Sequence, residues 1–581
     1  MLRTKLLLRA ICCGLILIVL GTSELSAQTE IPKNLHINGL GRTLIQRTQL
    51  GGTISETDTT TASDLMDGEF LLDLKINATP NEKTEVQSIL RLRNEFGGFF
   101  GSGMSVEVRE LFARGIVGNS FRYHVGDMDL KMTPYTLFQH DAGLNVNEAE
   151  IFRARQELID YEQFYNGDGT RRMQGGKIDF GLSAGAIFSE INISGFFTRV
   201  RGTDFFSLPT RFVSGGSIEL KNDRWGSITG NYVNTFDAVS IGGFDNGIRN
   251  PVQTVSANIH ILDNDNMALD FEGEMGMSSI FETQETEPFD KDDTFAEGAF
   301  KLDLKPRNLQ ITLGFRDVGP DFFSIGAQSN RVDLDRSRTF YSRIGNDRTT
   351  RQASIFDLNR DRALYTYALS DVLRPYDPRF GNTQPYGRAT ANRRGVFLNV
   401  DYALADSAIE LGAEAMQMQE IRGQGTTELK SFTLARVTGD ININRWLGID
   451  NILKVNLGYQ FEQTQRGGVE IETVSLNSSL LDAGIQAELF DNFDLLAGIK
   501  QLTSVGDDYI PEVIRFNEVR DFPGRYIVDD NETMIAAGFR YRFSSMSTLN
   551  IQWERFNSSR ATDAERAYQI DQIFILYSLY F

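Results

Sequence analysis

Cysteine is almost absent from this chain of 581 residues. Its two cysteines, Cys12 and Cys13, are adjacent and lie in an apolar segment near the amino terminus. Free cysteine in such a segment behaves as a small hydrophobic side chain. Because the segment is predicted to be removed, the remaining chain would contain no disulfide bond, no reactive thiol and no cysteine-bound metal.

Histidine is also scarce, with four residues in the whole chain. The pair His140-Asp141 is the sole candidate for a hydrolase dyad, and adjacent residues rarely form one. The nucleophile motif G-x-S-x-G is missing. Glycine-rich phosphate loops and histidine metal motifs are missing too, so the sequence predicts no enzyme, no metal site and no cofactor.

Long hydrophobic runs are missing after residue 20. No later segment approaches about 18 uninterrupted apolar residues, which excludes membrane spanning by helices. Such a chain can cross a bilayer only as a closed barrel of strands.

Positive charge is also in deficit: the net charge is −20, which argues against nucleic acid as a partner.

The amino terminus has the layout of a secretory signal peptide. It begins with three basic residues, runs through an apolar stretch over residues 10–20 and reaches the small-residue sequence Leu25-Ser26-Ala27. The apolar stretch is shorter than the roughly 20 residues that a membrane-spanning helix needs. We therefore predict a cleaved signal peptide over residues 1–27 and a mature, exported chain over residues 28–581.

From residue 35 to the end, apolar and polar residues alternate in segments of about ten, the period of a strand with two different faces. For example, Ile535, Phe539 and Phe543 fall on one face, while Arg540 and Arg542 fall on the other. A soluble sandwich has strands nearer about 5 to 6 residues, and a single domain rarely exceeds about 250 residues. The sequence therefore predicts an all-β protein, a single transmembrane antiparallel β-barrel with long extracellular loops.

Short turn signals alternate with longer polar loops along this region. The loops lie around residues 53–63, 236–251, 282–293, 505–530 and 557–565. Such alternation is typical of outer-membrane barrels, which have short periplasmic turns and longer external loops. Ten turns with a loop in each interval and one at either end predict about 18 to 22 strands, with both termini in the periplasm. The turns fall at residues 79–81, 118–119, 189–190, 222–223, 263–265, 305–307, 405–406, 444–445, 491–492 and 545–546.

The last segment of the chain, residues 568–581, places apolar residues at alternate positions and ends on an aromatic one. These positions are Ile573, Ile575, Tyr577, Leu579 and Phe581. The segment resembles the carboxyl-terminal signature strand of Gram-negative outer-membrane β-barrel proteins. The resemblance implies recognition by the barrel-assembly machinery, residence in the cell outer membrane, and contact with membrane lipid and lipopolysaccharide.

Two connections are much longer than the others. Residues 130–170 include a stretch, 147–165, with helix-like spacing of apolar residues. Residues 319–392 form the larger loop, and from Arg331 to Arg394 the sequence has thirteen arginines against seven aspartates. Loops of this length are usually functional or disordered.

Arginine recognises carboxylate, phosphate and sulfate, and rings of arginine or lysine make pores favour anions. A lumen-folded loop would therefore select anionic solutes, including anionic saccharides. The alternative is a solvated external loop whose Arg-Asp pairs stabilise little. The predicted selectivity residues are Arg331, Arg336, Arg338, Arg343, Arg348, Arg351, Arg360 and Arg362.

A second basic set lies on the predicted lumen faces of the first and last strands, which adjoin when the barrel closes. These residues could line one wall of a pore, or they could pair with lumen acids such as Glu69, Asp73 and Glu554. Opposing acids, Asp270, Glu272, Glu274, Glu410 and Glu414, would then form the other wall. The predicted pore-lining residues are Arg42, Arg91, Arg93, Arg109, Arg122, Arg540 and Arg542.

The barrel is loosely similar to alginate-export and other large specific porins. The first strand begins about eight residues after the predicted cleavage site, which leaves no room there for the plug domain of an energised transporter. The resemblance is architectural and implies a porin-like channel. Without a plug domain, passage is expected to be passive or partner-gated, and the arginine-rich loop makes the expected solutes small or oligomeric and anionic. The alternative is a barrel without transport that binds a surface lipoprotein, a polysaccharide or a secretion partner.

Overall fold

The computed structural model describes most of the chain after residue 33. The signal-peptide prediction lies outside the described residues, as does the pair His140-Asp141. The described residues are 34–53, 64–96, 104–137, 149–163, 172–185, 187–203, 209–240, 243, 246–283, 290–327, 343–345, 350–352, 378–379, 381–404, 407–510, 524–562 and 567–581.

One antiparallel sheet of 22 strands dominates the described residues. Its strands are β1 (Leu35–Gly51), β2 (Asp64–Asn81), β3 (Thr84–Glu95), β4 (Met104–Val117), β5 (Phe121–Asp129), β6 (Arg172–Ser183), β7 (Glu190–Arg201), β8 (Thr210–Asn222), β9 (Gly226–Ala238), β10 (Gly247–Asp263), β11 (Ala268–Thr283), β12 (Asp290–Leu304), β13 (Leu309–Val318), β16 (Arg393–Leu404), β17 (Ile409–Gln419), β18 (Ser431–Asn442), β19 (Leu453–Arg466), β20 (Val474–Phe490), β21 (Phe493–Ile510), β22 (Gly524–Ser544), β23 (Ser547–Arg560) and β24 (Tyr568–Tyr580). Two three-residue strands, β14 (Arg343–Gly345) and β15 (Thr350–Gln352), pair only with each other.

The sheet closes on itself because β1 pairs with both β2 and β24. Beyond the end of β24, the backbone N–H of Gly39 donates to the carbonyl of Phe581 at 2.8 Å, and Phe581 donates back at 3.1 Å. Closure leaves no unpaired sheet edge, which is the condition for a sheet to cross a bilayer. The predicted fold class and the predicted strand number are therefore confirmed.

The two faces of the barrel differ in the way that the alternation predicts. Along β22, Asp530, Glu532 and Met534 are buried, while Ile527 before them and Ile535 after them are exposed. The outer face carries exposed apolar side chains on strands all around the barrel, among them Val108, Ile178, Leu313 and Val437. This is the architecture of a transmembrane β-barrel, in which lipid replaces the missing apolar core on the outside.

The described helices are few and short. They are α1 (Glu150–Gln163) and α2 (Ile443–Leu447), with 3-10 turns at Lys305–Arg307 and Ile325–Ala327. Helix α1 confirms the helix predicted within residues 147–165. Within the described ranges no helix has both the length and the apolar character needed to span a membrane.

The short turns lie together at one rim, called the turn rim here, and the long connections lie at the other, the loop rim. Nine predicted turns lie at or next to observed strand reversals, and the tenth, 405–406, falls between β16 and β17 but outside the described residues. The loop predicted over 505–530 was wrong in extent, because β21 and β22 continue to Ile510 and from Gly524. Polar residues occupy both faces there, as in the outward pair Asp507 and Arg525, so the alternation that marks a strand disappears.

Candidate functional site: the barrel lumen

Four of the predicted pore-lining arginines lie on the inner faces of β1, β3 and β4, beside two acids of β2. Arg42 pairs with Glu69 at 3.0 Å, and Arg93 approaches the other oxygen of Glu69 at 3.3 Å. Arg91 pairs with Asp73 at 2.7 Å. The register explains these contacts, since Arg91 is directly opposite Asp73 in the ladder. The arginines of this wall are thus compensated by buried carboxylates.

The fourth arginine, Arg109, meets the end of helix α1. Its guanidinium lies 4.0 Å from the centroid of the Tyr161 ring and donates to the Tyr161 carbonyl, while the Tyr161 hydroxyl donates to Asp73. Arg109 also lies 3.8 Å from Asp73. One carboxylate therefore gathers two arginines and a tyrosine, and this contact holds the end of α1 against the wall.

The remaining three predicted arginines differ among themselves. Arg540 pairs with Glu150 at the start of α1 and, at 2.9 Å, with Asp494. Arg542 pairs with Asp494 at 2.9 Å and with Glu488 at 2.6 Å. The seventh, Arg122, is exposed and lies opposite Asp179 in the strand register. It lines a cavity at the turn rim.

Helix α1 lies inside the barrel on an apolar patch of the inner wall. Its residues Ile151 and Phe152 pack with Leu496, Met534 and Phe556 of β21 to β23, and Leu158 packs with Phe574 of β24. Burying these side chains removes apolar surface of both the helix and the wall from water. The helix therefore occupies one side of the lumen.

A pair of glycines lets the helix approach that wall closely. Gly484 of β20 and Gly498 of β21 are directly opposite in the ladder. A Cβ atom at Gly484 would lie 2.4 Å from the Cβ of Ala149, and one at Gly498 would lie 2.8 Å from Ile151. Only glycine leaves room for the helix at these two positions.

The start of the first long connection, residues 131–137, packs against the opposite wall. The Tyr135 ring stacks on Phe295 with centroids 3.8 Å apart, and its hydroxyl donates to Glu297. Burial raises the pKa of Tyr135 well above its ordinary value. Glu297 also accepts from Arg316, so a loop tyrosine joins a charged pair of the barrel wall.

The larger loop begins with residues 319–327, which also contact the inner wall. The side-chain amide of Asn250 donates to the Phe323 carbonyl at 2.8 Å and accepts from the Ile325 N–H at 2.9 Å. Outside the strands, Asp321 accepts two hydrogen bonds from Arg422, at 2.7 and 2.8 Å. These bonds lower the pKa of Asp321, which keeps the carboxylate charged and the two loops joined.

The described end of the larger loop, residues 378–379 and 381–392, contacts a third sector of the wall. Arg379 is fully buried between Asp530 at 2.8 Å and Glu532 at 3.1 Å. Asn382 donates to Asp508 at 3.1 Å, and its backbone N–H donates to Glu462 at 3.0 Å. This arginine belongs to the arginine-rich segment, and its charge is already balanced by two carboxylates.

Most of the predicted selectivity arginines lie outside the described residues. These are Arg331, Arg336, Arg338, Arg348, Arg360 and Arg362. The structure describes only the backbone of Arg343 and Arg351, on β14 and β15, whose strands pair with each other. The role of this set stays a prediction.

Along β9 to β18 the described residues leave a space in the lumen. A cavity of about 610 Å³ lies below Tyr135 and Arg388 and is lined by the inner faces of these strands. A second cavity of about 490 Å³ continues to the turn rim, where it meets Asn308 and Ala403. The two share the lining residue Asp401, so together they form one space, called the lower chamber here.

The lower chamber is rich in carboxylates. Three of its acids are paired: Glu414 with Arg436 at 2.9 Å, Glu297 with Arg388 at 3.3 Å and Asp440 with Lys454 at 3.3 Å. Five others form no ion pair with the described residues, namely Glu272, Glu274, Asp303, Asp401 and Glu410. Three of the five acids predicted to oppose the basic wall are thus among them; of the other two, Glu414 is paired and Asp270 contacts His260 at 2.8 Å.

The carboxyl-terminal positions predicted as the assembly signal lie on the outer face of β24 and at its end. Ile573, Leu579 and Phe581 are exposed, in the direction of lipid. Inward neighbours of the same strand, such as Phe574 and Leu576, are buried against α1. The segment is therefore apolar on both faces, whereas the sequence analysis had singled out only the outward apolar positions.

Sequence reasoning did not find the residues that hold the loops in place, such as Tyr135, Tyr161 and Arg379. No local pattern marks them, because their partners are 88 to 162 residues away in the chain. Among the described residues, no group of three or more His, Cys, Asp or Glu is placed to hold a metal ion.

No family model matches the chain, and its sequence matches no curated protein. Solved structures of outer-membrane proteins do match over most of their length. A BenF-like porin from Pseudomonas fluorescens is 10% identical over 94% of this chain and 99% of its own, with a TM-score of 0.35. OpdQ of Pseudomonas aeruginosa is 9% identical over 95% and 100%, with a TM-score of 0.33.

The outer membrane channel DcaP of Acinetobacter baumannii is 8% identical over 94% of this chain and 97% of its own, with a TM-score of 0.29. The assignment of the fold rests on the strand pairing of this chain itself. The chain is a closed 22-stranded β-barrel of porin-like architecture.

Proposed function

We propose that the protein is an outer-membrane channel through which small polar solutes diffuse. The observation that carries this proposal is the lower chamber, an open and polar space that reaches the turn rim of a closed barrel. Barrels of 16 to 18 strands already enclose an aqueous channel. A barrel of 22 strands whose described loop residues cover only parts of its wall leaves space for passage.

Preference for small or oligomeric anionic solutes is the finer part of the proposal, and it depends on the arginine-rich loop. The described arginines of the lumen wall, such as Arg42 and Arg91, are compensated by buried acids. Attraction of anions must therefore come from Arg331 to Arg362. Partner-gated passage would require these loops to move away from the lumen.

The proposed surroundings follow from the outer face of the barrel. Its exposed apolar side chains suit the lipid of an outer membrane, with the turn rim in the periplasm and the loop rim outside, near lipopolysaccharide. The exposed residues at the end of the chain, Leu579 and Phe581, are the proposed contact for the barrel-assembly machinery.

A second candidate function is a binding barrel that does not transport. It is favoured by α1 and by residues 131–137, 319–327 and 378–392, which all lie against the inner wall and fill part of the lumen. In that case the loops would hold a surface lipoprotein, a polysaccharide or a secretion partner.

Conductance of the purified protein in planar bilayers separates the two candidates. A channel gives discrete current steps at low voltage, because ions cross through the lower chamber. Preparations that show heat-modifiable gel migration, and hence a folded barrel, but no current would contradict the channel and support the binding barrel.

A further inference from the structure

The inner wall of the barrel is electrically uneven. Around β1 to β4 and β20 to β24 the arginines are matched by acids, as in the pairs of Arg42 with Glu69 and of Arg540 with Asp494. Along β11 to β17, five inward carboxylates have no such partner among the described residues. The described part of the open path is therefore lined by unbalanced negative charge.

The location of these carboxylates matters as much as their number. Asp401 lies where the two cavities of the lower chamber meet, with Gln310 and Thr438 beside it. Glu272 lies further towards the loop rim, and Glu410 lies nearer the turn rim. All three are exposed to the interior, so an ion that crosses the lower chamber passes them in turn.

The basic residues of the lower chamber do not cancel this charge. Arg388 and Arg436 each have an acid within 3.3 Å and 2.9 Å, respectively, that offsets their charge. Lys301 is the third base of the lining, so one cation remains against five carboxylates that form no ion pair with the described residues. Acidic rings in pores favour cations, and screening over about 8 Å at physiological salt does not remove the effect inside a narrow space.

We propose that the lower chamber prefers cations, with Asp401 as the main selectivity-determining residue. The favoured solutes carry an ammonium or guanidinium group. The proposal rests on the proposed channel function. Since the proposed function assigns the attraction of anions to the arginine-rich segment, the two proposals together favour solutes that carry both charges.

The test is the reversal potential in a potassium chloride gradient across a planar bilayer. The variant Glu272→Gln, Asp401→Asn and Glu410→Gln removes three carboxylates with little change of volume. At low salt we expect the permeability ratio of potassium to chloride to fall by about tenfold, within the range by which lined clefts concentrate counter-ions. At high salt the difference in permeability ratio between the variant and the unaltered protein should shrink, because the screening length is shorter.

A matched control removes the same charge from the outer face. The variant Asp64→Asn, Asp507→Asn and Asp571→Asn loses acids that pair with outward arginines, at 2.6, 3.3 and 2.7 Å. It should retain the permeability ratio of the unaltered protein. If the lumen variant does not assemble, Asp401→Asn alone must still lower the ratio.

The outcomes separate the two proposals. An unchanged ratio with full conductance in the lumen variant overturns the cation-preferring chamber and leaves the channel intact. A fall of the ratio that the outer-face control reproduces also overturns it, because the effect is then one of net charge. Absence of current from the unaltered protein overturns the channel itself.

Discussion

At the scale of single residues, the lumen depends on charged side chains that are buried and matched. Arg379 is the extreme case, since its side chain is 0% exposed and lies between Asp530 and Glu532. Removing one member of a buried set leaves the other charges desolvated and uncompensated, which costs about 3 to 5 kcal/mol. The end of the larger loop is therefore expected to depend on this arginine.

Arg379→Ala should release residues 378–392 from the wall while the barrel stays closed. We expect protease cleavage within this segment to become much faster, with heat-modifiable migration unchanged. Arg388→Ala is the matched control on the same loop, because Arg388 is 52% exposed and an exposed pair contributes at most about 1 kcal/mol. Equal protease resistance of Arg379→Ala and the unaltered protein would show that the loop is held by other contacts.

At the scale of elements, helix α1 depends on the shape of the strands beneath it. The inner face of β20 and β21 is flat at Gly484 and Gly498, and apolar residues surround the pair. Contacts at both ends, from Glu150 to Arg540 and from Tyr161 to Asp73, fix the helix along the wall. The helix and its groove are thus complementary in shape and in charge.

Gly484→Ala should loosen α1, because the new Cβ would lie 2.4 Å from the Cβ of Ala149 and the helix must move. Overpacking of this kind costs about 1 to 3 kcal/mol. Hydrogen exchange measured by mass spectrometry over residues 149–163 should become faster. Gly458→Ala is the control, since its Cβ would meet Asp482 at an ordinary 3.7 Å; a similar acceleration in both variants would refute the groove.

At the scale of the whole molecule, the proposed channel contains two regions of opposite charge. The lower chamber is negative and described, and the arginine-rich loop is positive and mostly outside the described residues. On the proposed function both regions act on a permeating ion, so changes in each should shift selectivity in opposite directions.

Replacing Arg336, Arg338, Arg343 and Arg348 together with Gln should shift the reversal potential in a salt gradient towards cations. The physical reason is that arginines within the pore attract anions, whereas arginines outside are mostly screened. The matched control replaces four arginines of the outer face with Gln, namely Arg47, Arg394, Arg525 and Arg555. Unchanged selectivity with intact conductance would place the loop arginines outside the pore and favour the binding barrel.

The sequence by itself determined the class of fold, the turns and the strand number. The reason is that the two-residue period is a local property. Alternate side chains of each strand face lipid and water, and each turn interrupts this alternation. The helix at 150–163 was also predictable, from its own spacing of apolar residues. The extension of β21 and β22 was not, because outside the membrane both faces of a strand are polar.

The tertiary structure decided which charges remain uncompensated. Arg42, Arg91 and Arg93 were predicted to line a pore or to pair with lumen acids, and only the register of β1 to β3 brings them to Glu69 and Asp73. No pattern in the sequence distinguishes Asp401 from the many other acidic residues. Its importance comes from the cavities that meet there, and these depend on where loops distant in sequence lie against the wall.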